Sequence, residues 1–484
     1  MRIFFVRPAQ IHWRHEAKRV GTPIGLLGIA ALARQHHDVA FLDVSAEGYD
    51  SEMEIAPNVF RFGLARSEIE RRIRNYNPDV VAISNLFTLY WRQALEIAEI
   101  AKAVNPAIVT VLGGNHSSGV PRETLFLDQG KSIDHLMLGE SEDGIVSLLG
   151  AIETGDVAGS GVEGIAYREG NEIIVRPRTG LQRISLQTLP RPAWELLKVD
   201  LYHAGMSHFG EPRGGNFVDV MASRGCPTGC NFCTTTDFFG RKMRTGNVEN
   251  FREDVRQLLE AGWEEIVVED DNFAALPRSF QRAVCEVLGE SGVPWNADGG
   301  IYYPRLDETL ASLLAEHGCY RVFLPVESPD LSLMHSTHKY LEFDTSSEQI
   351  SRIRKACSLL NSHGIEFYAA IMVGFPGQQK RDIVAACEFA EYLTADLGAI
   401  GISFHWAHPY PGTKFYDESY VKCSKERRWQ VGPEYYSFVK PVFPLDGMTL
   451  EEMEAMALET LERVNGTSVV NASCFLRPSA MRVA

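Results

Sequence analysis

Cys226, Cys230 and Cys233 fall within eight residues, in the run CPTGCNFC. Thiolates are soft metal ligands, and three on one short loop point to metal chemistry rather than packing. Placed this closely, each can reach a different iron of a [4Fe–4S] cube, which leaves the fourth iron open to another ligand. Gly225 and Gly229 let the backbone bend tightly around such a cube, and Pro227 stiffens it. Two other readings stand beside this one, a structural zinc site and three unrelated thiols. Structural zinc takes four ligands, commonly as two CxxC knuckles, and no second pair follows here. The remaining six cysteines, Cys285, Cys319, Cys357, Cys387, Cys423 and Cys474, are scattered singly as core thiols are, so no second cluster is expected.

Cys-x3-Cys-x2-Cys with an aromatic before the last Cys resembles the radical S-adenosylmethionine (radical SAM) superfamily, and Ser223-Arg224-Gly225 resembles its lead-in. The resemblance implies that Cys226, Cys230 and Cys233 ligate a [4Fe–4S] cluster whose open iron chelates S-adenosylmethionine, with Phe232 packed by the adenine. It further implies an external one-electron reductant of flavodoxin or ferredoxin type. The cleaved sulfonium then gives a 5′-deoxyadenosyl radical that takes a hydrogen atom from a small-molecule, natural-product substrate. Further elements resemble the superfamily in the same order. Glu269 and Asp270, followed by Asp271 and Asn272, match the acidic residues near the methionine amino group; their other reading is an acidic cap on the next helix. Glu327 and Ser328 match an "ESG" element with Pro329 in place of Gly, and Gly374 and Pro376 match "GxPG" beside the adenine. The run PYPGT at 409–413 matches the closing "PxPGT" segment.

The chain around these residues reads as α/β. Strands are expected at 219–223, 265–269, 295–299, 321–326, 366–373 and 399–405, with helices such as 251–261, 306–316 and 346–362 between them. Such a series makes a partial (β/α)6 barrel over 216–420, whose chemistry belongs at the strand C-termini. Residues 1–152 alternate strands at 2–6, 38–44, 79–84, 107–113 and 135–138 with helices at 25–34, 66–74, 91–104 and 141–152. That is the pattern of a Rossmann-like doubly wound parallel sheet, with candidate ligand loops at 85–90, 113–118 and 139–142. A connecting module is expected over 153–215, with a hairpin at 161–178 and hinges at Pro190, Pro192 and 210–215. A C-terminal mixed and helical region fills 421–484, with a helix at 450–465.

A doubly wound sheet ahead of such a barrel resembles the cobalamin-binding class. Gly113, Gly114 and His116 match its "GGxH" loop, and 139–142 matches "GEGE" with Ser141 in place of Gly. Read alone, both are also ordinary turns of a Rossmann-like sheet. The Asp-x-His-x-x-Gly motif that gives cobalt a histidine is absent, so His116 is expected to line the site rather than to ligate. With cobalamin the implied reaction is methyl transfer to an unactivated carbon. Without it, the radical leads to dehydration of a diol or epimerisation of a sugar or aminoglycoside. A non-catalytic Fe–S electron carrier is the reading from a different class. Tyr302, His405 and His408 are the candidate substrate residues at barrel strand ends; the two histidines flank Trp406, Tyr302 and Tyr303 also read as wall residues, and Asp298 is placed to orient a hydroxyl. Tyr90 and Trp91 are expected at the domain junction.

The 484 residues carry 47 Lys and Arg against 63 Asp and Glu, a net charge of −16. That balance repels nucleic acid and anionic membranes and suits a polycationic aminoglycoside. No apolar run reaches the ~18 residues of a membrane span, and the short apolar stretch 3–6, closed by Arg7, is a strand rather than a leader. A cytoplasmic setting is therefore expected.

Overall fold

The run 2–7 alternates Ile3 and Phe5 with Phe4 and Val6, four buried side chains that a strand sends to opposite faces. A strand apolar on both faces needs cover on both. It forms the interior strand next to one edge of a seven-stranded sheet in the computed structural model, which describes residues 1–14, 16, 18–156, 159, 161–178, 185–203, 212–417, 436–437, 440–442, 445 and 447–465. The strands are β1 (Arg2–Arg7), β2 (Asp38–Asp43), β3 (Val80–Ser84), β4 (Val109–Gly113), β5 (His135–Met137), β6 (Ile165–Glu169) and β7 (Glu172–Arg176), in the order β7-β6-β5-β4-β3-β1-β2. The first five are mutually parallel. The expected hairpin, β6 and β7, extends this sheet antiparallel to β5. On one face Ile3 and Phe5 pack with helices Ile24–Ala33 and Glu142–Glu153; on the other, Phe4 and Val6 pack with Arg66–Tyr76 and Trp91–Val104. The strand order reverses between β1 and β3, the switch point beyond whose carboxyl ends such sheets bind ligands.

Sequence patterning did not anticipate a separate antiparallel sheet of Gln10–Trp13, Val59–Phe62 and Glu52–Ala56. Its strands are four or five residues long, too short for the alternation to declare itself.

The second sheet is β8 (Phe217–Val220), β9 (Glu265–Val268), β10 (Trp295–Ala297), β11 (Cys319–Glu327), β12 (Glu366–Val373) and β13 (Gly401–Trp406), all parallel and in chain order. Among the described residues no ladder joins β13 to β8, so the sheet curves without closing. Three of its helices start at side-chain caps that satisfy their first backbone donors. Asn247 accepts from Glu249 and Asn250, Asp307 from Leu310, and Thr345 from Glu348. The two units are tied where Thr22 Oγ1 accepts from the Asp219 amide at 2.9 Å and the Thr22 amide donates back to the Asp219 carboxylate. Cys423, Cys474, the hinge positions 210–211 and most of 421–484 lie outside the described residues; within that last region the expected helix is Leu450–Asn465. Among the described residues no helix is long and apolar enough to cross a membrane.

Candidate functional site

The cysteine loop leaves β8 through Ser223–Arg224, which pairs antiparallel with Arg244–Thr245. Gly225 sits at φ +99, and a Cβ there would meet the Lys242 carbonyl at 2.5 Å, so the turn into Cys226 requires glycine. Acidic residues after β9 hold the loop. Asp270 accepts from the Ala222 amide at 2.9 Å and from the Ser223 hydroxyl. Asp271 accepts from the Gly225 amide at 3.3 Å and the Thr235 hydroxyl at 3.1 Å, one on each side of the three cysteines. Asn272 brings its amide nitrogen to 3.6 Å from Cys226 Sγ, and its Oδ1 has no partner. Glu269 lies in a group with Asp219 and Asp298, and burial together with those carboxylates pushes its pKa well up. Asp298 is in turn paired with Arg321 at 3.4 Å.

Burial pushes the Cys233 thiol up to about 12 and the Cys230 thiol in the same direction. A metal that binds either thiol displaces its proton. Among the described residues no three His, Cys, Asp or Glu side chains converge on one point that would hold a single ion. A tetrahedral zinc demands such convergence, whereas a cube takes each sulfur on a separate iron, so the donor set fits the cluster.

Next to the loop, Lys339 is buried and pairs with Glu327 at 2.5 Å, and its ammonium lies 5.9 Å from the centre of the Phe232 ring. Glu327 ends β11 with φ +67, a strained conformation for a non-glycine residue. Sequence reasoning missed Lys339, which lies on no strand end and in no spaced motif; a lysine twelve residues beyond a strand-end glutamate carries no signal of its own. Ser328 Oγ accepts from the Asp330 amide at 3.1 Å and so shapes the following turn. Gly374, at φ +84, has the Trp406 ring 2.8 Å from where a Cβ would sit. Phe375 beyond it packs against Phe232 at 5.9 Å, and Pro376 follows in the same half-buried turn.

Phe232, Cys233 and Thr234 line a cavity of about 230 Å³ together with Glu327, His405 and His408. The opposite wall is Leu86, Phe87 and Thr88 after β3 and Asn115 and His116 after β4. The cysteine loop and the sheet's switch-point loops thus open on one chamber. The sheet side has the character of a polar cradle. Asn85 is fully buried with neither amide atom paired, and Asn115 Oδ1, Ser117 Oγ and His116 Nε2 also have no partner. A native protein leaves so many buried polar atoms unmatched where a ligand completes them. A corrin, rimmed by amide side chains and carrying a nucleotide tail, supplies that complement, so the residues fit it.

His116 Nδ1 meets the Thr88 hydroxyl at 3.0 Å and the ring packs on Trp91 at 5.3 Å. Burial pulls its pKa from 6.5 down to about 3, so it lines the chamber as a neutral imidazole. The unfolded chain takes up that proton first. Stability therefore falls as pH drops from about 6.5 toward 3. His116→Phe, which keeps the packing on Trp91, is expected to flatten this slope, read as the difference in urea midpoint between pH 7 and pH 5.

Gly114 has φ +126, and a Cβ would lie 2.4 Å from the Asn85 carbonyl oxygen. The glycine thus serves the close approach of β3 and β4, while Gly113, 3.5 Å from Met137, is less confined. Gly114→Ala is expected to cost about 1–3 kcal/mol in backbone strain alone and to lower the melting temperature accordingly.

The structure does not bring all candidate residues together. His405, whose Nε2 meets Ser403 Oγ at 2.7 Å, and His408, whose Nδ1 meets the Trp406 carbonyl at 2.8 Å, face the chamber. Burial pulls the His405 pKa down to about 3. Tyr302 instead lines a second cavity with Pro227, Thr228 and His338, and its hydroxyl donates to Glu342 at 2.7 Å. Tyr303 is fully buried against Tyr340, and Trp91 is buried under His116.

Comparison with known proteins agrees with this geometry. Residues 14–149 match the family described as B12 binding domain, and residues 220–390 match the Radical SAM superfamily. Cytidylyl-2-hydroxyethylphosphonate methyltransferase of Streptomyces wedmorensis is 27% identical over 445 residues, 86% of this chain and 81% of that protein. Bacteriochlorophyllide d C-12(1)-methyltransferase of Chlorobaculum tepidum is 24% identical over 403 residues, 82% of this chain and 74% of that one. Among solved structures, the radical S-adenosylmethionine methyltransferase TsrM of Kitasatospora setae, with cobalamin and a [4Fe–4S] cluster bound, superposes with a TM-score of 0.65. It is 16% identical, over 87% of this chain and 78% of that one.

Proposed function

We propose methyl transfer to an unactivated carbon for this chain, which is a radical S-adenosylmethionine enzyme with a cobalamin-binding N-terminal domain. The observation that carries the reading is the single chamber, walled on one side by the cysteine loop and on the other by Thr88, Asn115 and His116 at the ends of β3 and β4, where Asn115 Oδ1 and His116 Nε2 are buried without a partner. Bound there, the cluster with S-adenosylmethionine supplies a 5′-deoxyadenosyl radical, and cobalamin supplies a transferable methyl group.

The chain's own residues hold and screen these groups. Cys226, Cys230 and Cys233 ligate the cluster, and Asp270 and Asp271 fix the loop that presents them. Lys339 supplies the one buried ammonium among the described residues beside that loop and receives the methionine carboxylate, with Glu327 keeping it charged. Asn272 is aimed at the same place, and Phe232 with Phe375 offers an apolar platform for the adenine. Leu86, Phe87, Met372 and Trp406 keep water from the reacting carbon, where a radical would otherwise be lost to side reactions. His405 and His408, both facing the chamber, orient a polar group of the substrate. The reductant is a flavodoxin- or ferredoxin-type carrier, the substrate a small natural product, and the setting cytoplasmic.

The methyltransferase relatives support this reading and lend none to the dehydration, epimerisation or electron-carrier alternatives. The test is anaerobic reconstitution with iron, sulfide and hydroxocobalamin. A stoichiometric corrin absorption band, with 5′-deoxyadenosine and S-adenosylhomocysteine formed together on adding substrate, supports the proposal. A protein that binds the cluster but no corrin refutes it.

A further inference from the structure

The loop after β5, 139–142, resembles a cofactor-lining turn by sequence, yet neither of its carboxylates lines the chamber. Both reach into the barrel instead. Buried Glu140 accepts from Arg224 Nη1 at 2.8 Å through one oxygen and from Arg244 Nη2 at 2.7 Å through the other. Buried Glu142 meets the same Arg224 nitrogen at 2.6 Å. Arg224 and Arg244 stand directly opposite each other in the two-residue ladder at the base of the cysteine loop. Like charges so placed repel, and here a carboxylate from the other domain lies between them. Arg224 is two residues before Cys226.

The same loop is joined to the sheet's ligand side. Ser118 Oγ donates to the Gly114 carbonyl at 2.8 Å and accepts from the Gly139 amide at 2.8 Å. Between Gly114 and Ser118 lie Asn115, His116 and Ser117, of which Asn115 Oδ1, His116 Nε2 and Ser117 Oγ are buried without a partner. A path of two hydrogen bonds at Ser118, one peptide step from Gly139 to Glu140, the Glu140–Arg224 ion pair and two residues of backbone therefore runs from the cradle to the first cluster cysteine.

We infer that Glu140 and Glu142 are positioning residues for the cluster loop, through which occupation of the cradle by a corrin is transmitted to the environment of Cys226. This rests on the reading of the cradle as a corrin site. Any such effect is reciprocal, so cluster assembly also changes corrin affinity.

The test uses the full chain with its cluster loaded and S-adenosylmethionine left out. The electron paramagnetic resonance spectrum and midpoint potential of the reduced cluster are measured with and without hydroxocobalamin. The expected result is that corrin binding shifts both in the wild type. In Glu142→Gln, cluster and corrin load to wild-type stoichiometry but at least half of the shift is lost. Glu140→Gln is unsuitable because it removes the carboxylate that Arg224 and Arg244, both only slightly exposed, share. Arg224→Lys is the second variant; it keeps the charge, loses the two-carboxylate grip, and is expected to lose the shift likewise. A wild type that binds corrin without any shift, or variants that keep it in full, overturns this inference and leaves the methyl-transfer reading standing. A wild type with no corrin band overturns both.

Discussion

Cys230→Ala is expected to remove the cluster's broad absorption near 400 nm and to abolish 5′-deoxyadenosine formation, with activity below about one-thousandth of wild type. Cys230 is the most buried of the three thiols, at 6% exposure, and lies in the middle of the loop. Its loss leaves two sulfurs on four irons and no set of ligands that orients the open corner. The fold is expected to survive. The loop is held at its ends by Asp270 and Asp271 rather than by the thiol, so circular dichroism of the variant should match the apo wild type. A variant that keeps its iron, or that still cleaves S-adenosylmethionine, contradicts the assignment of ligands.

Lys339→Met is expected to act twice. It strands the Glu327 carboxylate in a buried position, and breaking a buried pair from one side costs about 3–5 kcal/mol of stability. It also removes the ammonium assigned to the methionine carboxylate. A hydrogen bond to a charged group is worth about 1.5–3 kcal/mol, so S-adenosylmethionine affinity should fall roughly 10- to 150-fold. The two effects separate in the double variant Lys339→Met, Glu327→Gln. With no buried charge left, most of the stability returns, while the affinity stays low. Equilibrium dialysis with S-adenosylmethionine and urea denaturation read the two quantities independently. If binding recovers along with stability, Lys339 serves packing alone.

The difference between these two residues explains what the sequence could reveal. Three cysteines in eight positions act through neighbours along the chain, so spacing alone exposes them. The parallel strands of the two large sheets are equally plain, because a parallel sheet covered on both faces needs apolar runs such as 80–83, whereas the short strands of the separate antiparallel sheet carry no such run. Lys339 and the Glu140–Arg224 pair become meaningful only when segments twelve and eighty-four residues apart are folded together. By sequence Gly114 resembles part of a cobalamin-binding loop, and the structure gives it a tighter duty against the Asn85 carbonyl. Tyr302 was grouped with His405 by its strand-end position; the turn after β10 carries it to the other side of the cysteine loop. Strand ends tell which rim of a barrel a side chain occupies, and not which pocket of that rim.

The missing ladder between β13 and β8 has its own consequence. In a sealed cylinder the bore is fixed by strand number, and a guest must fit wholly inside. Here no ladder among the described residues joins the two outer strands, so strand number alone does not fix the width of the seam between them. A seam not sealed by a ladder sets no upper limit on guest size through strand number.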